Sequence, residues 1–329
     1  MSFLPKPLNK TLNSLSILAS ALRHFTAQSA TAASKPFPDD PTSAYYDELA
    51  TAAGNSGDLD AFRDLLNKRI EDGCFNTKRT FKFLTNTSSI NDLIPTLSNL
   101  NPGVTRKSAF DSLVNRLCRL NRVDDALRVV ETMVRDGTFS ITASTFYPII
   151  NILNHNKSVH RARCVVDLMA GLGVRRDLTV HNLFLMTHCS AGDMAAAAEV
   201  LREIEGDGFF ADSRTFDALV IGACKTGKVE GAMVLVRRMV DDGVPMLYST
   251  HMFVIGALLE KGCFEQTVKY VKCFGGKDKA LDADIYGCLA SKLAKLKRVK
   301  EAMMVLEEMK QRGLSMGDKL KSFYERNGA

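Results

Sequence analysis

The chain has 329 residues, 46% of them hydrophobic and 24% charged, with a formal net charge of +6. That balance excludes wholesale disorder and collagen-like architecture, and no run approaches the roughly 18 consecutive apolar residues of a transmembrane helix. Eight cysteines without a CxxC pair, and histidines without ligand spacing, give no zinc site and suit a reducing compartment better than a disulfide framework.

Residues 1–34 contain Lys6, Lys10 and Arg23 and no acid. Leu8, Leu12, Leu15, Leu18, Leu22 and Phe25 recur at spacings of three or four, which lines them along one stripe of a helix. A basic, acid-free, amphipathic N-terminus has the signature of an organelle transit peptide. Arg23-His24-Phe25 followed by Thr26 resembles the arginine-minus-three processing motif of mitochondrial presequences. The mitochondrion is therefore expected first and the chloroplast second. Residues 35–42, with three prolines, read as a linker. The remaining body is nearly neutral, since residues 35–329 carry 40 basic and 37 acidic groups.

From residue 43 onward the sequence repeats. Val123, Val159, Met194, Val229, Phe264 and Val299 follow one another at steps of 36, 35, 35, 35 and 35 residues, with Leu59 as an earlier member. Three places later stand Ala126, Ala162, Ala197, Ala232, Thr267 and Ala302, while Gly137, Gly173, Gly208, Gly243 and Gly313 keep the same beat. These columns divide the chain into units 43–77, 107–142, 143–177, 178–212, 213–247, 248–282 and 283–317. A degenerate unit, 78–106, opens with Thr80-Phe81 as a first helix and is interrupted by Pro95 and Pro102; 318–329 reads as a short capping helix.

Each unit predicts two amphipathic helices, here called helix A and helix B. In 213–247, Phe216, Leu219, Val220 and Ala223 form one stripe, and Val229, Ala232, Leu235, Val236 and Met239 form the other. Neither helix can bury its stripe alone, so units must stack, which makes the architecture an all-α solenoid.

The segment from Thr215-Phe216-Asp217-Ala218-Leu219-Val220 through Ala223-Cys224-Lys225-Thr226-Gly227-Lys228-Val229-Glu230 resembles the helix A and turn of pentatricopeptide repeats. Leu306-Glu307-Glu308-Met309-Lys310-Gln311-Arg312-Gly313 is similar to the end of that family's helix B. The resemblance spans about 43–317 and is to the P-type class. It implies a right-handed α-solenoid superhelix in an organellar protein, most often from a plant, that binds single-stranded RNA, one base per repeat.

In the family, the fifth residue of a repeat and its last residue are the main base determinants. Here the resemblance points to Asp47 with Thr77, Asp111 with Thr142, Tyr147 with Asp177, Asn182 with Asp212, Asp217 with Leu247, Met252 with Asp282 and Gly287 with Gly317. The Asn182/Asp212 pair resembles the uridine-reading combination. The second place, usually aliphatic, holds Ala44, Ser108, Ser144, Thr179, Arg214, Ser249 and Asp284. Such residues give up part of the apolar sandwiching that holds single-stranded bases. Asp47, Asp111 and Asp217 are expected to put carboxylates on the surface that an RNA backbone approaches.

Phosphate contacts are expected from Arg119, Lys225 and Lys295, which recur late in helix A, with His155 as a partial substitute. Arg116, Arg122, Arg175, Arg176, Arg237, Arg238, Lys292, Lys297, Arg298 and Lys300 add local positive charge. His181 and His251 occupy the aromatic position of helix A and read as packed residues. No nucleophile–base constellation, glycine-rich phosphate loop or paired carboxylate stands out, so neither a reaction nor a cofactor or metal is expected. A nuclease would need a further acidic domain, for which 318–329 are too few residues. Two readings follow: an RNA-binding protein acting in RNA processing, stability, splicing or translation, or a structural component of the mitochondrial ribosome that docks on protein or ribosomal RNA.

Overall fold

The computed structural model describes residues 41–137, 141–276 and 278–328, so the leader expected over 1–34 lies outside the described residues. Ser43–Ala329 pack as one unit. Among the described residues the regular structure is entirely helical. The first helix, α1 (Ser43–Ser56), pairs with α2 (Leu59–Glu71), and a short α3 (Leu93–Ser98) follows. The next three pairs are α4 (Val104–Arg119) with α5 (Val123–Asp136), α6 (Ala143–His155) with α7 (Val159–Gly171), and α8 (Leu178–Ala191) with α9 (Met194–Gly206). Then come α10 (Ser213–Lys225) with α11 (Val229–Asp241), α12 (Tyr248–Glu260) with α13 (Phe264–Phe274), and α14 (Lys279–Lys295) with α15 (Val299–Gln311), closed by α16 (Asp318–Asn327). Each first helix packs on its own partner and on the first helix of the next pair, through α4, α6, α8, α10, α12 and α14. This is a solenoid.

The small-residue column explains how closely the helices approach. Ala126, Ala162, Ala197, Ala232, Thr267 and Ala302 are all buried, as are Met133, Met169, Ile204, Met239 and Met309 one helical face further on. Burying a Met, Ile or Leu side chain contributes about 1.5–3 kcal/mol, so the repeated stripe supplies the cohesion that isolated 13-residue helices lack.

Two columns of left-handed residues set the turns. One follows every second helix except α13, at Gly73, Gly137, Gly173, Gly208, Gly243 and Gly313. The other lies between the helices of each pair, at Gly57, Asn121, Lys157, Gly192, Gly227, Gly262 and Lys297, with φ between +58° and +77°. The amide after each of these binds the carbonyl five residues back, as Arg122 to Leu117 (2.9 Å) and Lys228 to Ala223 (2.9 Å) show. This 6→1 bond is the Schellman closure. The inner column was hidden from sequence reading because Asn and Lys occupy three of its places, against a left-handed penalty of about 1–2 kcal/mol for a side chain with Cβ.

Three expectations about unit boundaries differ. Thr80-Phe81 open no helix: residues 78–92 are turns and irregular backbone. There, side chains bond nearby backbone, Ser88 Oγ accepting from Thr85 N (3.0 Å) and Ser89 Oγ from Asn91 N (3.2 Å), which competes with helix formation. Pro95 is tolerated because it falls in the first turn of α3, where its missing N–H has no helical acceptor. Helix α14 starts at Lys279, four residues before the expected unit edge, because Asp278 caps it through Ala280 N (2.8 Å) and Leu281 N (3.4 Å). Asp282 is therefore inside a helix instead of ahead of one. The segment 318–329 does carry a helix, α16, whose Leu320, Phe323 and Tyr324 pack on the core.

Candidate nucleic-acid interface

The fifth residues lie on the first helices, where each faces the start of the next repeat. Three of the expected pairs meet directly. Asn182 Nδ2 donates to Asp212 Oδ1 (3.0 Å), the Tyr147 hydroxyl donates to Asp177, and the Thr77 hydroxyl donates to Asp47 Oδ2 (2.5 Å). Asp212 and Asp177 are also the N-caps of α10 and α8, accepting from Thr215 N (2.9 Å) and Val180 N (3.1 Å). The last residue of a repeat thus has two tasks, capping the next helix and meeting the fifth residue behind it.

The other pairs do not form. Asp111 is held by Lys107 (2.7 Å) and the Thr145 hydroxyl (2.9 Å), while Thr142 shares a hydrogen bond with Ser144 (2.8 Å). Asp217 accepts from Ser249 (2.8 Å) and Thr250 (2.7 Å), not from anything at Leu247. Asp282 accepts from Gly276 N (2.7 Å). Gly287 and Gly317 have no side chains to join.

A second column, missed in the sequence, accounts for these bonds. Thr80, Thr145, Thr215 and Thr250 stand two residues before the fifth place, and each hydroxyl reaches the fifth residue of the preceding repeat. The bonds run Thr80 to Asp47 (3.0 Å), Thr145 to Asp111 (2.9 Å), Thr215 to Asn182 (2.8 Å) and Thr250 to Asp217 (2.7 Å). All four threonines are buried. Where Val180 interrupts the column, no hydroxyl is available and Tyr147 turns to Asp177 instead. The signal was present as a threonine recurring at multiples of 35 from residue 145.

The expectation of exposed carboxylates is consequently corrected. Asp47 and Asp217 are buried, 5% and 4% exposed, because each is enclosed by hydroxyl donors from the chain that follows its repeat's second helix, and Asp47 also pairs with the fully buried Arg69 (3.0 Å). Asp111 is half-buried. Burial pushes the Asp212 carboxyl up, but hydrogen bonds from Thr215, Asn182 and the Arg214 amide outweigh it and hold the group below the usual carboxylate range. The Tyr147 hydroxyl is pushed up, first by burial and then by its bond to the Asp177 carboxylate.

The basic column divides. Arg119 Nη1 donates to Lys78 O (3.2 Å), alongside Arg116 to Leu84 O (2.5 Å) and Arg122 to Ser88 O (2.7 Å). These three arginines satisfy the carbonyls of the irregular 78–92 segment, which has no helical ladder of its own. Lys225 remains exposed, donating to Ser190 O (3.1 Å) above the Phe253 ring. Lys295 is exposed and has no ion pair among the described residues. Arg176 binds Asp207 (2.8 Å) and Arg238 binds Asp242 (2.5 Å).

His181 and His251 are packed residues, each 2% exposed, bonding Asp207 (2.9 Å) and the Tyr270 hydroxyl (2.9 Å). Burial pushes the His251 imidazole down. Cys74, Cys118, Cys189 and Cys224 are buried. Among the described residues no group of three or more His, Cys, Asp or Glu could hold a metal ion, and no helix is long and apolar enough to cross a membrane.

Stacked helix pairs with paired side chains at repeat junctions define a modular helical-repeat protein. A family model described as "Pentatricopeptide repeat-containing protein" matches residues 92–204, and one described as "PPR repeat" matches 214–244 and 284–314. One mitochondrial pentatricopeptide repeat-containing protein of Arabidopsis thaliana is 44% identical over 297 residues, covering 88% of this chain and 84% of its own. A second is 46% identical over 286 residues, covering 86% and 81%. The crystal structure of the maize pentatricopeptide repeat protein PPR10 shares the fold at a TM-score of 0.52 and 17% identity, covering 96% of this chain and 44% of its own, so this chain spans under half its length. This chain belongs to the pentatricopeptide repeat family. Both Arabidopsis relatives are named mitochondrial, and the mitochondrion is the compartment of this protein too.

Proposed function

We propose that this protein binds single-stranded RNA in the mitochondrion and acts in its processing, stability, splicing or translation, as a binding module with no reaction of its own. The Asn182/Asp212 pair carries the reading. Its hydrogen bonds to Asp212 and Thr215 occupy one amide hydrogen and one carbonyl lone pair of Asn182. An adjacent donor and acceptor remain, the complement of the imide edge of uracil. Asp212 fixes the amide's orientation and is itself fixed by capping α10.

Crosslinking and sequencing of RNA bound to the full chain in isolated mitochondria tests this. A short site with uridine at one register is expected, and Asn182→Ala should erase the preference at that register only. Weak, sequence-blind binding at moderate salt would refute the reading.

A second reading, a structural component of the mitochondrial ribosome, is favoured by the internal engagement of Asp47 and Asp217, which leaves fewer groups for bases. One matched relative in Arabidopsis is named a small ribosomal subunit protein, at 23% identity over 47% of this chain. Co-sedimentation with the mitochondrial small subunit distinguishes the two; a protein confined to light fractions has no such role.

A further inference from the structure

The body's excess charge is not spread along the stack. Residues 43–278 hold 28 basic and 28 acidic groups, whereas 279–329 hold 11 basic and 7 acidic. All of the net positive charge beyond residue 42 therefore belongs to the last pair and its cap. Within it, Lys292, Lys295, Lys297, Arg298 and Lys300 fall in nine residues, and the nearest carboxylate of the run, Glu301, is taken by Arg298 (2.5 Å). One repeat earlier Lys261 is neutralised by Glu230 (3.1 Å), and on α7 Arg161 is neutralised by Asp124 (2.5 Å). At the last turn the place corresponding to Lys261 is Leu296, and no such pair forms.

Two of these lysines border a hollow. It measures about 430 Å³ between α12 and α14 and is lined by Lys292 and Lys295, with one carboxylate, Asp284, and with Ser291, Gly287 and Gly317 around it. Gly287 and Gly317 stand at the fifth and last places, where Asn182 and Asp212 meet three repeats earlier, and neither has a side chain to select a base. Lys292 is seated by another glycine: its Nζ lies 2.8 Å from where a Cβ on Gly256 of α12 would stand. Lys297 occupies the left-handed turn at φ +58°, as Asn121 and Lys157 do in two other repeats, where the remaining four have glycine.

We propose that the junction of the last two repeats is a sequence-blind phosphate anchor, in which Lys292, Lys295 and Lys297 contact consecutive phosphodiesters of a single RNA strand. The inference rests on the RNA-binding function proposed above and assigns it a division of labour: Asn182/Asp212 chooses a base, and the final junction holds the backbone whatever the base.

The test is salt titration of the full chain against oligouridylate and oligoadenylate by fluorescence anisotropy. Each phosphate neutralised contributes about 0.7 to the slope of log affinity against log salt for single strands. Lys292→Gln/Lys295→Gln/Lys297→Gln should therefore lower the slope by about 2, equally for both polymers. Gly256→Ala, which displaces only the end of one flexible side chain, should lower it by about 0.7, with helicity by circular dichroism unchanged. A triple variant that binds with the wild-type slope overturns the anchor while leaving RNA binding intact. A variant that loses only oligouridylate binding also overturns it. A wild-type chain that binds neither polymer at low salt overturns both this inference and the proposed function.

Discussion

Removing the Asp47 carboxylate separates a structural role from a base-reading one. Asp47 stands at a base-determining place by resemblance, yet it is 5% exposed and lies 3.0 Å from Arg69, which is fully buried. Arg69 also donates to Thr80 (2.9 Å) and Ser43 O (2.8 Å), so it is locked beneath α1 and cannot follow a lost partner into water. Asp47→Ala leaves that guanidinium charge buried and unpaired, and breaking a buried pair from one side costs about 3–5 kcal/mol. Replacing both partners, Asp47→Leu with Arg69→Met, should cost far less, because the stranded charge leaves with its counterion. In a solenoid, terminal units respond locally. The expected readout is thus faster hydrogen exchange in α1 and α2, with amides of α8 to α12 unaffected. Urea unfolding of the wild type, Asp47→Leu, Arg69→Met and their double variant closes the cycle that gives the coupling energy, expected at about 3 kcal/mol. If Asp47→Ala leaves exchange in α1 and α2 unchanged and weakens RNA binding instead, the structural assignment fails.

Two further outcomes follow from individual repeats. Asn154 is 4% exposed, its amide nitrogen and oxygen have no hydrogen-bond partner among the described residues, and it stands where other repeats bury Cys118, Cys189 and Cys224. A buried unsatisfied polar group costs about 1–3 kcal/mol, so Asn154→Cys should raise the urea midpoint; a lower midpoint would mean that the amide is satisfied internally. Asp212 has a depressed carboxyl pKa in the fold, so its stabilisation is complete above the ordinary carboxylate range and is lost as pH falls through the lowered value. Asp212→Asn keeps a capping side chain but removes that titration, so its melting temperature should fall less between pH 7 and pH 3 than that of the wild type. Equal acid losses would refute it.

The fold was readable because its determinants recur. A buried Ala or Met every 35 residues leaves a periodic trace, since each repeat faces the same packing problem as its neighbour. Local exceptions left no trace. The 78–92 segment has the same threonine–phenylalanine start as a true helix A, at Thr80-Phe81, but is followed by Thr85, Thr87, Ser88 and Ser89, whose hydroxyls compete for backbone groups. The early start of α14 depended on one cap, Asp278, in a stretch whose period pointed elsewhere.

The site was less readable, because position in a repeat specifies where a side chain begins and not what it meets. Asp47, Asp111, Asn182 and Asp217 share one place in the repeat, and a threonine hydroxyl from the next repeat reaches every one of them. For a carboxylate that contact, with its other donors, absorbs the acceptors. For Asn182, equally buried at 6% exposed, the same contact leaves a donor and an acceptor, because an amide offers both kinds of group. Under the proposed function, one architectural hydrogen bond serves a structural residue or a recognition residue according to whether a carboxylate or an amide stands at its end. Changing Asp217 to asparagine on this scaffold should accordingly move a repeat toward recognition without disturbing the stack.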